Sequence, residues 1–196
     1  MRAGRGARPI WIALVATLAA GCSTSAPARF YTLEATAPAS SALPIHAAVM
    51  VEPIAIPAAV DQPQFVVEVA PNRVEIDEFN RWAAPLNDSI ARAVAGDLTA
   101  LLGTPEVVTV PLANFNPDYR VTIDVQRFES LKGQAAVLDA VWVVHDTATA
   151  ATRSGRTVAR EAVQGDGFDA LAAAHSRALA RLSADIAYAI RAEARS

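Results

Sequence analysis

The only cysteine of the chain, Cys22, is the side chain whose surroundings best indicate chemistry. It follows Leu-Ala-Ala-Gly at positions 18–21, and residues this small before a cysteine suit the binding pocket of a signal peptidase. Exported proteins usually pair their thiols, so a single cysteine needs an explanation. Lipidation supplies one, because acylation converts the thiol to a thioether; the alternative is an incidental cysteine behind a cleaved signal. We predict that Cys22 carries a diacylglyceryl group and an N-acyl chain.

The N-terminal residues have the composition of a signal peptide. Arg2, Arg5 and Arg8 form a basic start, and an uncharged, mostly apolar run occupies positions 10–20. As a helix this run rises only about 16 Å, which is roughly half the thickness of a bilayer core. Positions 1–21 are therefore predicted to be cleaved rather than to span a membrane.

The residues after the leader are expected to hold the protein close to one membrane. Ser23 stands where many proteobacterial inner-membrane lipoproteins carry Asp, which favours the periplasmic face of the outer membrane. Residues 22–29 form a tether that extends about 25 Å at most, and residues 30–196 are predicted to form one domain. The leader holds three of the 17 basic residues and none of the 20 acidic ones, so the remaining chain has a net charge of −6. This sign argues against binding nucleic acid or anionic headgroups.

Other residues that could do chemistry are few and scattered. The sequence contains neither a P-loop nor a Gly-x-Ser-x-Gly elbow, and no two of its three histidines are four residues apart. An envelope hydrolase would need Asp124, Asp139 and His145 to converge in one cleft, whereas the strand pattern favours solvent-facing positions for both aspartates. His175 is expected at the edge of the core with one nitrogen hydrogen-bonded or wetted; a buried pH-sensitive group is the alternative. We predict no catalytic residue, no metal site and no cofactor besides the acyl chains.

Two helices carry the clearest periodicity. In residues 81–102 the apolar positions begin at Trp82 and recur mostly every fourth residue, with Asp97 inside their arc. Trp82 is interpreted as core, with an exposed anchor for a partner as the alternative. In residues 168–192 the apolar side chains share about 100° of arc, and Asp166 is the expected N-cap. Strands are predicted at 30–33, 45–54, 65–69, 74–76, 107–110, 119–128, 136–144 and 156–163, with a turn at 153–155 before the last one.

The order of these elements determines the expected fold class. Four strands, a helix, four strands and a final helix indicate an α+β domain. Its mixed or antiparallel sheet is expected to carry both long helices on one face.

Two segments resemble the signature of the ABC-type transport auxiliary lipoproteins (the PqiC-like family). One is Val-Glu-Pro-Ile-Ala-Ile-Pro at 51–57, followed by Asp-Gln-Pro-Gln-Phe-Val at 61–66; the other is Arg-Trp-Ala-Ala-Pro-Leu at 81–86. The last helix, with Ala-His-Ser-Arg-Ala-Leu at 174–179, is also similar. The chain departs from the family in carrying Ala59-Val60 for Tyr-Leu and Gln62 for Arg.

The resemblance implies a non-enzymatic outer-membrane subunit that works with an MCE-domain protein, a permease and an ATPase to move lipids between membranes. Self-association into a docking collar is compatible with that role. A second interpretation is an envelope lipoprotein that regulates a peptidoglycan enzyme or a secretion assembly, and it shares the anchor and the fold type.

The proline-rich segment at 53–64, together with the start of the first predicted helix, is our candidate for the partner-binding surface, because prolines pre-order a loop at low entropic cost. Its residues are Pro53, Pro57, Asp61, Pro63, Gln64, Arg81 and Trp82. The alternative is purely structural, with Asp61 and Arg81 tying the loop to the helix.

Overall fold

The computed structural model describes residues 27–194. The predicted signal peptide, Cys22 and most of the tether lie outside the described residues. The first strand begins at Arg29, one residue before the predicted start of the domain.

Within the described range, eight strands and two helices follow the predicted order, and the strands form one mixed sheet. They are β1 (Arg29–Tyr31), β2 (Val49–Val51), β3 (Gln64–Ala70), β4 (Arg73–Trp82), α1 (Leu86–Leu102), β5 (Val107–Val108), β6 (Tyr119–Leu131), β7 (Ala135–Asp146), β8 (Thr152–Ala162) and α2 (Gly167–Glu193). The α+β prediction is confirmed.

Strand β6 is the centre of the sheet. One of its edges pairs with β7 in antiparallel register along almost the whole strand, and β7 pairs in turn with β8. Its other edge pairs in parallel with β2 near one end and with β3 near the other. The hairpin β3–β4 and the short β1 therefore lie at one end of the sheet, and β8 lies at the opposite end.

The core lies between the helices and one face of the sheet. Val121, Ile123 and Val125 of β6 are buried while the residues between them are exposed, as their alternation predicts. The predicted apolar face of α2 is also buried, through Leu171, His175, Leu179, Leu182, Ile186 and Ile190. Asp166 is the N-cap residue of α2, in agreement with the sequence.

The first helix begins later than its periodicity predicted. Arg81 and Trp82 belong to β4, and α1 begins at Leu86 after Pro85, whose ψ of 133° is not helical. A proline disfavours helical geometry in the residue before it, and the Trp82 N–H donates instead to the Pro63 carbonyl (2.7 Å). Strand pairing therefore prevails over helical periodicity here. Gly103 ends the helix in the left-handed region, with φ of 72°.

Other predicted strand boundaries are also wrong. The strand expected at 45–54 is confined to Val49–Val51. The turn before β8 lies at 147–150 rather than at 153–155, because the Asp146 carboxylate accepts hydrogen bonds from the N–H groups of Ala148 (2.8 Å) and Thr149 (3.0 Å). Gly155 lies within β8, where the Trp142 ring fills the space that a Cβ would need.

The Asp97 side chain of α1 forms hydrogen bonds to the loop after β1 and to α2. The side chain is fully buried on α1 and accepts hydrogen bonds from the Ala37 N–H (2.8 Å) and the Ser183 hydroxyl (3.1 Å). Burial raises the pKa of the Asp97 carboxyl, although both hydrogen bonds act in the opposite direction. The charged residue inside the apolar arc of the first helix therefore makes its polar contacts inside the protein.

We expect Asp97→Asn to keep or raise the free energy of unfolding at pH 7, and Asp97→Ala to lower it by about 2 kcal/mol. Asparagine can accept from the Ala37 N–H and donate to Ser183 Oγ, which leaves the Ser183 hydroxyl hydrogen to the Leu179 carbonyl (2.9 Å). Because the wild-type pKa is raised, stability falls as pH rises above the ordinary Asp value, and asparagine removes that fall. Urea denaturation at pH 4 and pH 7 measures both effects; equal losses in the two variants would contradict this account.

Candidate functional site

Parts of the two segments that resemble the family signature, residues 61–63 and 82–86, line one open groove. It has a volume of about 360 Å³ and lies where the 61–63 segment meets the end of β4 and the start of α1. Its lining residues are Asp61, Gln62, Pro63, Trp82, Ala83, Ala84, Pro85 and Leu86. The pairing of β3 with β4 brings these segments together although about twenty residues separate them in the chain.

Backbone hydrogen bonds set the shape of this groove. The Trp82 N–H donates to the Pro63 carbonyl (2.7 Å), and the next N–H, of Ala83, donates to the Tyr31 carbonyl of β1 (2.8 Å). The Gln62 side-chain amide donates to the Ala59 carbonyl (3.1 Å), which closes the preceding turn. The groove is therefore built against the N-terminal strand, the part of the domain nearest to Cys22 in the chain.

Trp82 belongs to the core and only its edge reaches the groove. The side chain is 5% exposed, and its ring stacks on Phe65 with centroids 4.0 Å apart. Phe128 and His175 contact the same ring edge-on at 6.2 and 6.1 Å. The core interpretation of Trp82 is confirmed, and the alternative of an exposed aromatic anchor is wrong because the ring is enclosed on these sides.

Arg81 contacts Glu78 rather than Asp61. Its Nε donates to the Glu78 carbonyl (2.9 Å) and its Nη2 lies 3.5 Å from the Glu78 carboxylate. The Gln64 amide donates to the same carboxylate (3.3 Å). Asp61 is exposed at the rim of the groove, so the ion pair proposed as a structural alternative is not formed in the described residues. The sequence did not predict Glu78 as the partner of Arg81, because no motif or periodicity in the neighbouring residues distinguishes it.

The two earlier prolines lie outside the groove. Pro53 is exposed and Pro57 is half-buried, on the segment that runs past β6 and makes one bridge, Ala55 to Asp124. The Pro57 carbonyl accepts the Val60 N–H (3.0 Å), and this turn leads the chain into the groove.

His175 lies beneath the groove, deeper than predicted. The ring is fully buried, its Nε2 lies 2.8 Å from the Ser130 hydroxyl, and it stacks on Phe128 at 4.0 Å. The predicted hydrogen bond is present. The predicted position at the edge of the core is wrong, because the ring on α2 packs directly against Phe128 and Ser130 of β6. Burial lowers the pKa of His175 to about 3, so the imidazole is neutral near pH 7.

The three residues that an enzyme interpretation required are spread over the open face of the sheet. Asp124 is exposed on β6, whereas Asp139 is buried against the Arg156 guanidinium through two hydrogen bonds (2.8 and 2.6 Å) that lower its pKa. Asp139 lies on the face of the sheet that the alternation predicts, but it is not exposed as expected, because the Arg156 side chain of the neighbouring β8 covers it. His145 lies six residues farther along β7, about 20 Å away at the rise of a strand.

Within residues 27–194, no three His, Cys, Asp or Glu side chains cluster as metal ligands. Neither described helix combines the length and the apolarity that crossing a bilayer requires.

The chain is similar to solved structures and to one family. The crystal structure of an uncharacterized protein aligns with a TM-score of 0.70 at 20% identity, over 84% of this chain and 99% of that one. A Xanthomonas campestris protein of the DUF330 family aligns with a TM-score of 0.71 at 18% identity, over 86% and 100%. No functionally curated protein matches the sequence significantly. Residues 31–187 match the family described as ABC-type transport auxiliary lipoprotein component, so the chain belongs to this family.

Proposed function

We propose that this protein is a non-enzymatic adaptor on the periplasmic face of the outer membrane, anchored by acylated Cys22. It docks the periplasmic MCE-domain protein of an ABC-type lipid transporter. Membership of a family of transport auxiliary lipoproteins supports association with a membrane and with a transporter. The leader, the small residues before Cys22 and Ser23 support the anchor and the choice of membrane.

The groove at residues 61–63 and 82–86 carries the proposal, because it brings parts of both signature segments together in one accessible surface. Its rim is polar at Asp61 and Gln62, whereas alanine and proline side chains form much of its wall. A rim of polar groups around an apolar centre is the usual organisation of a protein interface. Gln62, which replaces the arginine of the resembled signature, lies in this rim and adapts the surface to its own partner.

Substituting exposed groove residues tests the docking directly. We expect Asp61→Arg and Ala83→Glu each to weaken binding of the MCE-domain partner about tenfold, equivalent to about 1.4 kcal/mol. Both side chains are exposed, so the free energy of unfolding should change little. Pull-down of the MCE protein by the detergent-extracted lipoprotein, normalised to the folded fraction, measures the effect.

Ala148→Glu is the matched control. Ala148 is also exposed and lines a separate depression with His46 and Asp118, beyond the far end of β6, so this variant adds the same charge as Ala83→Glu at a different place. Binding that falls equally in the control and in the groove variants would indicate a charge effect. Full binding in all three variants would rule out the groove as the docking site.

A further inference from the structure

Four large apolar side chains are exposed on two adjacent strands at one end of the sheet. Phe30 of β1 is 65% exposed, and Val74, Ile76 and Phe79 of β4 are 58%, 50% and 46% exposed. Single exposed hydrophobic residues are normal on a protein surface, but a group on neighbouring strands indicates an interaction site. We call these four residues the apolar edge.

The apolar edge is held in place by hydrogen bonds rather than being a loose loop. Between Gln64 and Phe65 the register of β3 with β4 shifts, and residues 78–80 of β4 bulge. The Asp77 carboxylate organises this bulge by accepting the N–H groups of Phe79 (2.9 Å) and Asn80 (2.8 Å). The Tyr31 hydroxyl of β1 then donates to the Asn80 side chain (2.7 Å), so the bulge is fastened to β1.

The predicted lipid anchor reaches the domain at this same edge. Strand β1 begins at Arg29, which pairs with Asn80, and Phe30 pairs with Arg81. The seven residues from Cys22 to that strand extend about 25 Å at most. The apolar edge is therefore confined to the neighbourhood of the leaflet that holds the acyl chains.

The charges around the apolar edge balance. The two strands carry equal numbers of positive and negative side chains: the three arginines Arg29, Arg73 and Arg81, and the three acidic residues Glu75, Asp77 and Glu78. A balanced charge gives no net attraction to anionic headgroups, whereas exposed aromatic and branched side chains favour transfer into the boundary between headgroups and acyl chains.

We infer that the apolar edge inserts into the same leaflet as the acyl chains of Cys22 and acts as a second contact that fixes the orientation of the domain. This inference rests on the proposed anchor but not on the MCE partner. Since the Ala83 N–H donates to the Tyr31 carbonyl, the insertion also holds the docking groove at a defined height above the membrane.

Fluorescent labelling of single cysteines in the full-length lipoprotein tests this insertion. Phe30→Cys and Phe79→Cys each introduce one free thiol, because the thiol of Cys22 is consumed by acylation. The variants are labelled with an environment-sensitive fluorophore and reconstituted into phosphatidylethanolamine–phosphatidylglycerol vesicles containing doxyl-labelled phosphatidylcholine. We expect blue-shifted emission and a loss of about half of the fluorescence to the doxyl groups at both positions, as for side chains at the acyl boundary.

Tyr188→Cys is the matched control, because Tyr188 is 72% exposed but lies on α2, away from β1 and β4. Its label should keep an aqueous spectrum and escape quenching. Quenching at positions 30 and 79 no greater than at 188, in protein that co-floats with the vesicles, overturns the inference while leaving the anchor intact. Labelling of the parent protein at Cys22 overturns the anchor and this inference together, and the pull-down of the MCE protein remains a separate result.

Discussion

Replacing His175 with glutamine should reduce the loss of unfolding free energy that the wild-type protein shows as the pH falls below about 6.5. In the folded protein the pKa of His175 is lowered to about 3 by burial, from the ordinary value of 6.5. The unfolded chain therefore binds one more proton than the folded protein between these two values, and the free energy of unfolding falls as pH falls through this window. Through this one group, the free energy of unfolding of the wild-type protein should be about 3 kcal/mol lower at pH 4 than at pH 7.

Glutamine is a suitable replacement because its side-chain amide can still meet the Ser130 hydroxyl, which lies 2.8 Å from the wild-type ring. The stacking on Phe128 is lost, so we expect the variant to be less stable at pH 7 by about 2 kcal/mol. The diagnostic quantity is the slope of the unfolding free energy between pH 6.5 and 4, measured by urea denaturation at intervals of about half a pH unit. An unchanged slope in His175→Gln would mean that the imidazole titrates normally in the folded protein.

Truncating Trp82 should destabilise the domain more than the substitutions at Asp97 or His175. The indole stacks on Phe65 and packs edge-on against Phe128 and His175, so Trp82→Ala leaves a cavity in the centre of the aromatic cluster. Removing a fully packed aromatic side chain costs about 4 kcal/mol, which is a large part of the stability of a typical domain. Trp82→Phe keeps most of the stacking and should cost about half as much.

The same two variants separate folding from docking. Since the indole is 5% exposed, a partner on the groove can touch only its edge, and we expect Trp82→Phe to bind the MCE protein normally per folded molecule. Thermal or urea unfolding measures the stability loss, and pull-down of the folded fraction measures binding. A stable Trp82→Ala variant that has lost binding would reverse this assignment.

Local patterns were enough to predict the fold class. The alternation along β6 and the apolar face of α2 each depend on residues a few positions apart, so the sequence alone indicates a strand and a helix there. The strand and helix order then indicates a mixed sheet with two covering helices, as observed. The core position of Trp82 also follows from its place in a periodic series, even though that residue lies in a strand.

Pairing between strands that are distant in the chain set the positions and contacts of several residues that local patterns did not predict. Arg81 and Trp82 lie in β4 because Trp82 finds its hydrogen-bond acceptor at Pro63, and Arg81 contacts Glu78 within a bulge whose register depends on β3. Asp139 is buried because a neighbouring strand places Arg156 against it. The residues next to Glu78 and Arg156 in the chain give no sign that these side chains contact Arg81 and Asp139.

The sequence by itself therefore determined the order of the strands and helices, because periodicity is a property of neighbouring residues, but it did not determine all of their bounds. The leader directly before Cys22 also predicts acylation of this residue, which lies outside the described residues. Only the tertiary structure decided that residues 61–63 and 82–86 share a groove, and that Phe30 of β1 joins the exposed apolar residues of β4 in the apolar edge. Those positions depend on hydrogen bonds between strands distant in the chain, and such register is not encoded in any single segment.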